Sequence, residues 1–216
     1  MFTGHFAAAI AAKAVAPRAP LWGYVGASQL VYLLWSGLVI AGIEKFRIDD
    51  SLKGSPLDLY HMPYTHSLPA VIGWSLLGTV LARRWLPNGT AAMVGLVVFS
   101  HWLTDLLVHR PDLPLGFPGP KVGLALWDYP VAEMALEIGL LGLATGMWVA
   151  TRVRARQTAW PALVFLAFLV VLQIVAVTAD GATVPAAVAQ SALLAFVAVI
   201  LVAAVADRGK PVRSGL

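Results

Sequence analysis

Chemistry-bearing side chains in this chain concentrate in a few short stretches. The densest is Ser100-His101-Trp102-Leu103-Thr104-Asp105-Leu106-Leu107-Val108-His109-Arg110-Pro111-Asp112. On an α-helix His101, Asp105 and His109 stand at i, i+4 and i+8, along one face with a drift of about 40° per step. Nitrogen and oxygen donors of this kind suit a divalent metal, Zn²⁺ first, with Mn²⁺ or Fe²⁺ as alternatives, and an i, i+4 pair can reach one ion. His101 and Asp105 are read as the ligand pair. His66 is the natural third ligand, because His66-Ser67 opens the next helix to be paired with this one. His61, His109 and His5 are candidates for further ligation or proton transfer. Glu137 is read either as a carboxylate that orients an imidazole or as a general base. Taken singly, a histidine at a helix end can simply sit at an interface, Asp105 can pair with Arg110, and Glu133 and Glu137 can bond a neighbouring helix.

The elements that must carry these groups are apolar. Of 216 residues, 59% are hydrophobic and 12% charged, with a mean hydropathy of +0.79; a soluble domain carries about a quarter charged residues. Apolar runs near or above the roughly 18–20 residues that cross a bilayer, without strand-like alternation, predict an all-α polytopic membrane protein. About six spans are expected: 21–43, 67–83, 91–108, 131–150, 159–178 and 184–206. A short helix over 4–16 precedes them, half-length or re-entrant, and Ala-Pro-Arg-Ala-Pro ends it. Ser67 is a plausible N-cap, with Pro69 in the first turn. Segments 44–64 and 111–130 are polar or Pro/Gly-rich connections. If 17–20 is the bend of a helical hairpin, His5 and Tyr32 lie about equally far from it. At 1.5 Å per residue that distance is roughly 20 Å, which carries His5 toward the His/Asp cluster.

There is no cysteine, so disulfides and thiolate sites are excluded. The net charge of +4 is read as topogenic rather than as a nucleic-acid footprint, so no nucleic-acid partner is expected and the lipid bilayer is the expected environment. With the N-terminus inside, ten of the fifteen basic residues fall on cytoplasmic segments: Lys13, Arg18, Arg83, Arg84, Arg152, Arg154, Arg156, Arg208, Lys210 and Arg213. Both termini are then cytoplasmic, in a bacterial-type inner membrane, and the polar cluster lies at the outer face. Trp102, Trp127, Tyr60, Tyr64 and Tyr129 read as an interfacial aromatic belt at that face.

Three blocks also carry a family resemblance: Asp58-Leu-Tyr-His61-Met-Pro-Tyr-Thr-His66-Ser; Ser100-His101-Trp-Leu-Thr-Asp105-Leu-Leu-Val-His109-Arg-Pro-Asp112-Leu-Pro; and Gly123-Leu-Ala-Leu-Trp127-Asp128. With the Gly4-His5 block they resemble the YdjM-like family of inner-membrane-associated hydrolases described as metal-dependent. The resemblance covers roughly residues 2–140. Residues 1–150 are taken as the family-like membrane domain, and 151–216 as two further apolar helices of the same domain. It implies a metal site on His5, His66, His101 and Asp105. The chain departs from the family in the first span, where such proteins carry an acidic residue and this one reads Gln29-Leu-Val-Tyr32. Asp58 or Asp128 would then have to supply the missing carboxylate.

The leading expectation is a membrane-bound, metal-dependent hydrolase acting on a membrane-proximal or lipid ester, phosphoester or amide, with Asp105 or Glu137 taking the proton. Two other classes fit the same residues. A small-solute or ion transporter would use them as a relay, although no inverted repeat is present and the polar groups gather at one face. A non-catalytic membrane scaffold would carry them as a degenerate site. Within the opening stretch, His109 and the Arg-Pro-Asp-Leu-Pro after it read as the outer rim of the site.

Overall fold

The computed structural model describes residues 1–178 and 184–207; the Ala-Asp-Gly separator at 179–181 and the basic residues Arg208, Lys210 and Arg213 lie outside the described residues. The fold is all-α, with eight α-helices among those residues. A 3₁₀ turn at Thr3–His5 leads into α1 (Phe6–Val15). Helices α2 (Leu21–Ser28) and α3 (Leu30–Ile40) follow, then α4 (Leu68–Ala82), α5 (Asn88–Val108), α6 (Pro130–Arg154), α7 (Trp160–Thr178) and α8 (Pro185–Ala206). Two short antiparallel hairpins occupy the connections that read as polar: β1 (Lys45–Ile48) with β2 (Leu57–His61), and β3 (Leu113–Pro114) with β4 (Lys121–Val122).

Among the described residues four helices, α5 to α8, are long and apolar enough to cross a membrane, and five spans result if the bent pair α2–α3 counts as one. This is below the six expected, and the reason is α4. Its 15 residues extend about 22 Å at 1.5 Å per residue, short of the roughly 30 Å hydrocarbon layer. Ser67 caps it as expected: Ala70 N donates to Ser67 Oγ at 3.3 Å, and proline stands in the first turn.

Helix α1 is the centre of the bundle rather than an appendage. Phe6, Ala9, Ile10 and Ala12 are buried, and the helix packs against α2, α5 and α6. Apart from Lys13 in its last turn the helix is apolar, which favours burial, and its alanines let neighbouring backbones come close. Outward-facing Leu76, Leu96, Val131, Leu143, Leu194 and Leu201 remain exposed, as expected of helices whose other solvent is lipid. The crossing of α4 and α5 depends on Gly95, where a Cβ would fall on Thr79 Oγ1 and 2.7 Å from the Ser75 carbonyl oxygen.

Two further features serve the site. Helices α2 and α3 meet at Gln29 with a 50° bend, so the last carbonyls of α2 are helix-end groups that seek partners elsewhere. The segment after β4 folds back over the end of α5: Leu124 N donates to Leu106 O at 2.8 Å and Ala125 N to His109 O at 2.7 Å. Gly123 is required there, because a Cβ would overlap the His109 and Arg110 carbonyls. Lys13, at the end of α1, pairs with Asp207 after α8 at 2.9 Å, tying the opposite end of the bundle.

Candidate metal centre

Asp105 is the hub. It is fully buried on α5, and four imidazoles turn their Nε2 atoms toward its carboxylate. His5 Nε2 lies 3.0 Å and His109 Nε2 3.4 Å from Oδ1; His101 Nε2 lies 3.1 Å and His66 Nε2 3.7 Å from Oδ2. Among the described residues, His5, His101 and Asp105 form the trio whose ligand atoms all lie within 4.8 Å of one another. The His5 and His101 rings stack in parallel at 3.8 Å. The amino group of Met1 lies 3.4 Å from Asp105 Oδ1.

Each imidazole is held from behind through Nδ1. His101 Nδ1 donates to the Ser28 carbonyl at 2.9 Å, at the α2–α3 bend. His109 Nδ1 donates to Asp112 Oδ1 at 2.8 Å. His5 Nδ1 is 2.7 Å from Thr104 Oγ1, and that hydroxyl is 3.0 Å from each of the Ser100 and His101 carbonyls. A hydroxyl whose single proton goes to one of those carbonyls can only accept from His5. His66 Nδ1 is 2.7 Å from Thr65 Oγ1. A carbonyl or carboxylate accepts and cannot donate, so these partners keep a proton on Nδ1, and in the neutral ring the lone pair then lies on Nε2. Consistently, the Nε2 atoms of His66, His101 and His109 and Oδ2 of Asp105 are buried without a hydrogen-bond partner. Inward lone pairs around a carboxylate form a donor set that suits a divalent cation, and the back-side acceptors are the usual supports of ligating histidines.

His5 reaches the cluster because Glu137 grips the turn that carries it. The Glu137 carboxylate accepts from Phe2 N at 2.8 Å, Gly4 N at 2.7 Å and Thr3 Oγ1 at 3.2 Å. The sequence readings have Glu137 orient an imidazole or act as a base; in the structure its oxygens are taken up by residues 2–4 rather than by an imidazole. Gln173 of α7, which hydropathy alone passes over, brings its Oε1 within 2.9 Å of the same Thr3 hydroxyl, whose one proton serves either Gln173 or Glu137. Tyr32, where an acid was expected, lines the site. Its hydroxyl donates to Met1 O at 2.7 Å, and its ring meets His101 edge-on at 4.3 Å. Phe196 of α8 stacks on its other side at 5.3 Å.

Several expected positions fall elsewhere. His109 is not a rim residue: it is fully buried, because i+4 spacing keeps it on the Asp105 face and the returning 123–125 segment covers it. His61 lies on β2 with its ring against Phe117 at 6.0 Å. Asp58 pairs with Arg47, and Asp128 with Arg110 at 2.9 Å, so neither replaces the carboxylate absent at Tyr32. Trp102 and Trp127 are buried rather than interfacial. Trp102 Nε1 donates to the His66 carbonyl at 3.1 Å, and the Trp127 ring packs at a tilt against His109 at 4.1 Å; Tyr60, Tyr64 and Tyr129 remain exposed.

Glu44, Thr65, Thr104 and Asp112 were not singled out from sequence. Asp112, at i+3 from His109, and Thr104, beside Asp105, carried a spacing signal. Glu44 carried none, since only the β1–β2 hairpin brings it to Thr65. Its oxygens accept from Tyr64 N at 2.8 Å, Thr65 N at 3.0 Å and Thr65 Oγ1 at 2.5 Å. Burial raises the Glu44 carboxyl pKa above its ordinary value, and these three bonds offset part of that rise.

Fold and site together define a class: an all-α polytopic chain with a buried histidine–aspartate cluster near one end of its bundle. No protein-family model matches the chain, and neither a curated protein nor a solved structure does.

Proposed function

We propose that the chain is a membrane-embedded, metal-dependent hydrolase whose divalent cation, Zn²⁺ before Mn²⁺ or Fe²⁺, is held by His5, His66, His101 and Asp105. The observation that carries this reading is the convergence of four Nε2 atoms on one buried carboxylate, each imidazole supported at Nδ1. An empty arrangement of this kind is unfavourable, because buried polar atoms without partners cost roughly 1–3 kcal/mol each. The likeness of residues 2–140 to the YdjM-like family points the same way.

When bound, the cation would supply Lewis acidity toward a scissile carbonyl or phosphoryl group and acidify a water molecule. The chain's own residues divide the remaining work. Thr104, the Ser28 carbonyl and Thr65 keep three imidazoles in the ligating tautomer. His109, backed by Asp112, is the general base of this proposal, since a carboxylate-supported imidazole stabilises a proton gained at Nε2. Tyr32 and Trp127 wall the site and exclude water from its flanks. The substrate class is a membrane-proximal ester, phosphoester or amide, reached from the end of the bundle that carries the two hairpins.

Elemental analysis of purified protein, wild type against His101→Ala, tests the reading. Stoichiometric metal in the wild type and its loss in the variant are expected. Equally negligible metal in both, after reconstitution with Zn²⁺, Mn²⁺ and Fe²⁺ in turn, would overturn it.

A further inference from the structure

His66 stands apart from the other ligands, 3.7 Å from Asp105 and outside the tight trio. It can join a metal only if its Nε2 is bare. What lies behind it decides that. Thr65 Oγ1 touches two groups, His66 Nδ1 at 2.7 Å and Glu44 Oε2 at 2.5 Å. An ionised carboxylate only accepts, so the hydroxyl gives its proton to Glu44 and must accept from Nδ1–H. The other oxygen of Glu44 is anchored by two backbone donors, Tyr64 N and Thr65 N, so the carboxylate cannot turn. Glu44 is itself 1% exposed, and hydrogen bonds in such surroundings are strongly directional.

We propose that Glu44, acting through the Thr65 hydroxyl, fixes the tautomer of His66 and thereby determines whether His66 can ligate. The proposal rests on the metal-site reading for its consequence, but the tautomer itself is a property of the chain alone. It makes Glu44 a positioning residue: it touches no ion and no substrate. It also gives the β1–β2 hairpin a task, because closure of that hairpin brings the segment after Ile40 to the segment before α4.

The geometry predicts an inversion. In Glu44→Gln, the amide oxygen must face the Tyr64 and Thr65 N–H groups, which accept nothing. The amide NH₂ then faces Thr65 Oγ1 and donates to it. The hydroxyl proton is driven toward His66 Nδ1, the ring proton moves to Nε2, and the ligating lone pair is lost.

Two-bond ¹⁵N–¹H correlation spectra of histidine-labelled, metal-free protein read the tautomer directly, with His66 signals assigned by their loss in His66→Gln. Zn²⁺ affinity is measured in parallel by chelator competition. The wild type should show His66 protonated at Nδ1, and Glu44→Gln should show it protonated at Nε2, with affinity reduced about ten- to hundredfold. If His66 keeps its Nδ1 proton in Glu44→Gln while the wild type binds Zn²⁺, the positioning role is overturned and the metal reading stands. If the tautomer inverts but the wild type binds no metal, the tautomer control stands and the metal reading falls. Should Glu44→Gln fail to fold, Thr65→Ser and Thr65→Val carry the test. Serine should preserve the tautomer and the affinity, valine should lower the affinity, and equal affinities in both would overturn the proposal.

Discussion

At the scale of single residues, the site is governed by what lies behind each imidazole. A histidine can donate or accept at Nδ1, and its partner's inventory of protons settles which. Thr104 offers a clean case, because its hydroxyl lies at hydrogen-bond distance from two α5 carbonyls and from His5 Nδ1. Thr104→Ser keeps the hydroxyl; Thr104→Val keeps the shape and removes the acceptor. We expect the valine variant to weaken Zn²⁺ binding about tenfold to a hundredfold, the range found when ligand supports are lost, and the serine variant to bind within about twofold of wild type. Chelator competition measures both. Equal affinity in the valine variant would mean that stacking on His101, and not Thr104, holds the His5 ring. Glu137 belongs to the same scale with a different task. Its bonds to the Phe2 and Gly4 N–H groups hold the turn that presents His5, so it acts on the site without facing it.

At the scale of elements, two close approaches set the distances within the site. His66 and the triad on α5 are brought together by the α4–α5 crossing, and that crossing has no room for a side chain at Gly95. Gly95→Ala would place a methyl group against the Ser75 carbonyl, which is backbone and cannot rotate away. Separation of the helices should destabilise the protein by about 1–3 kcal/mol, the usual cost of overpacking, and lengthen the His66–Asp105 approach. Thermal unfolding in detergent should show the first effect and reduced metal affinity the second. Thr79→Ala in the same chain should relieve only part of both, since it removes one of the two clashes. This scale also separates what the sequence discloses from what it hides. Hydropathy marks α5 to α8 well, because a bilayer-length apolar run has few alternative fates. The i, i+4 spacing of His101, Asp105 and His109 marks the site face for the same local reason. Strands of two to five residues in polar connections carry no periodicity long enough to see, so both hairpins escape, and Glu44 with them. The half-length or re-entrant helix expected over 4–16 is legible as α1, but its contacts with α2, α5 and α6 are not, since an alanine-rich ten-residue helix has no periodic face to name its neighbours.

At the scale of the whole molecule, the helices sort charge to the two ends of the bundle. Arg83 and Arg84 follow α4, and Arg152 and Arg154 close α6, at the ends remote from the cluster. Lys13 and Asp207 meet at that end as well. The hairpins, with Arg47 paired to Asp58 and Arg110 paired to Asp128, occupy the other. If the arginines after α4 and at the end of α6 act as cytoplasmic retention signals, the positive-inside rule predicts that the remote end faces the cytoplasm. On that prediction the histidine–aspartate cluster and both hairpins face outward, and a substrate of the proposed hydrolase would approach from the outer leaflet or the space beyond it. The absence of cysteine from the chain makes this orientation directly measurable, because any introduced thiol reports alone. Ser51 on the β1–β2 hairpin connection and Arg84 after α4 are both exposed. In intact cells, a membrane-impermeant maleimide should label Ser51→Cys and should reach Arg84→Cys only after permeabilisation. The reverse pattern would place the site on the cytoplasmic face, and the substrate would then have to come from the inner leaflet or the cytoplasm, without any change in the geometry of the histidine–aspartate cluster.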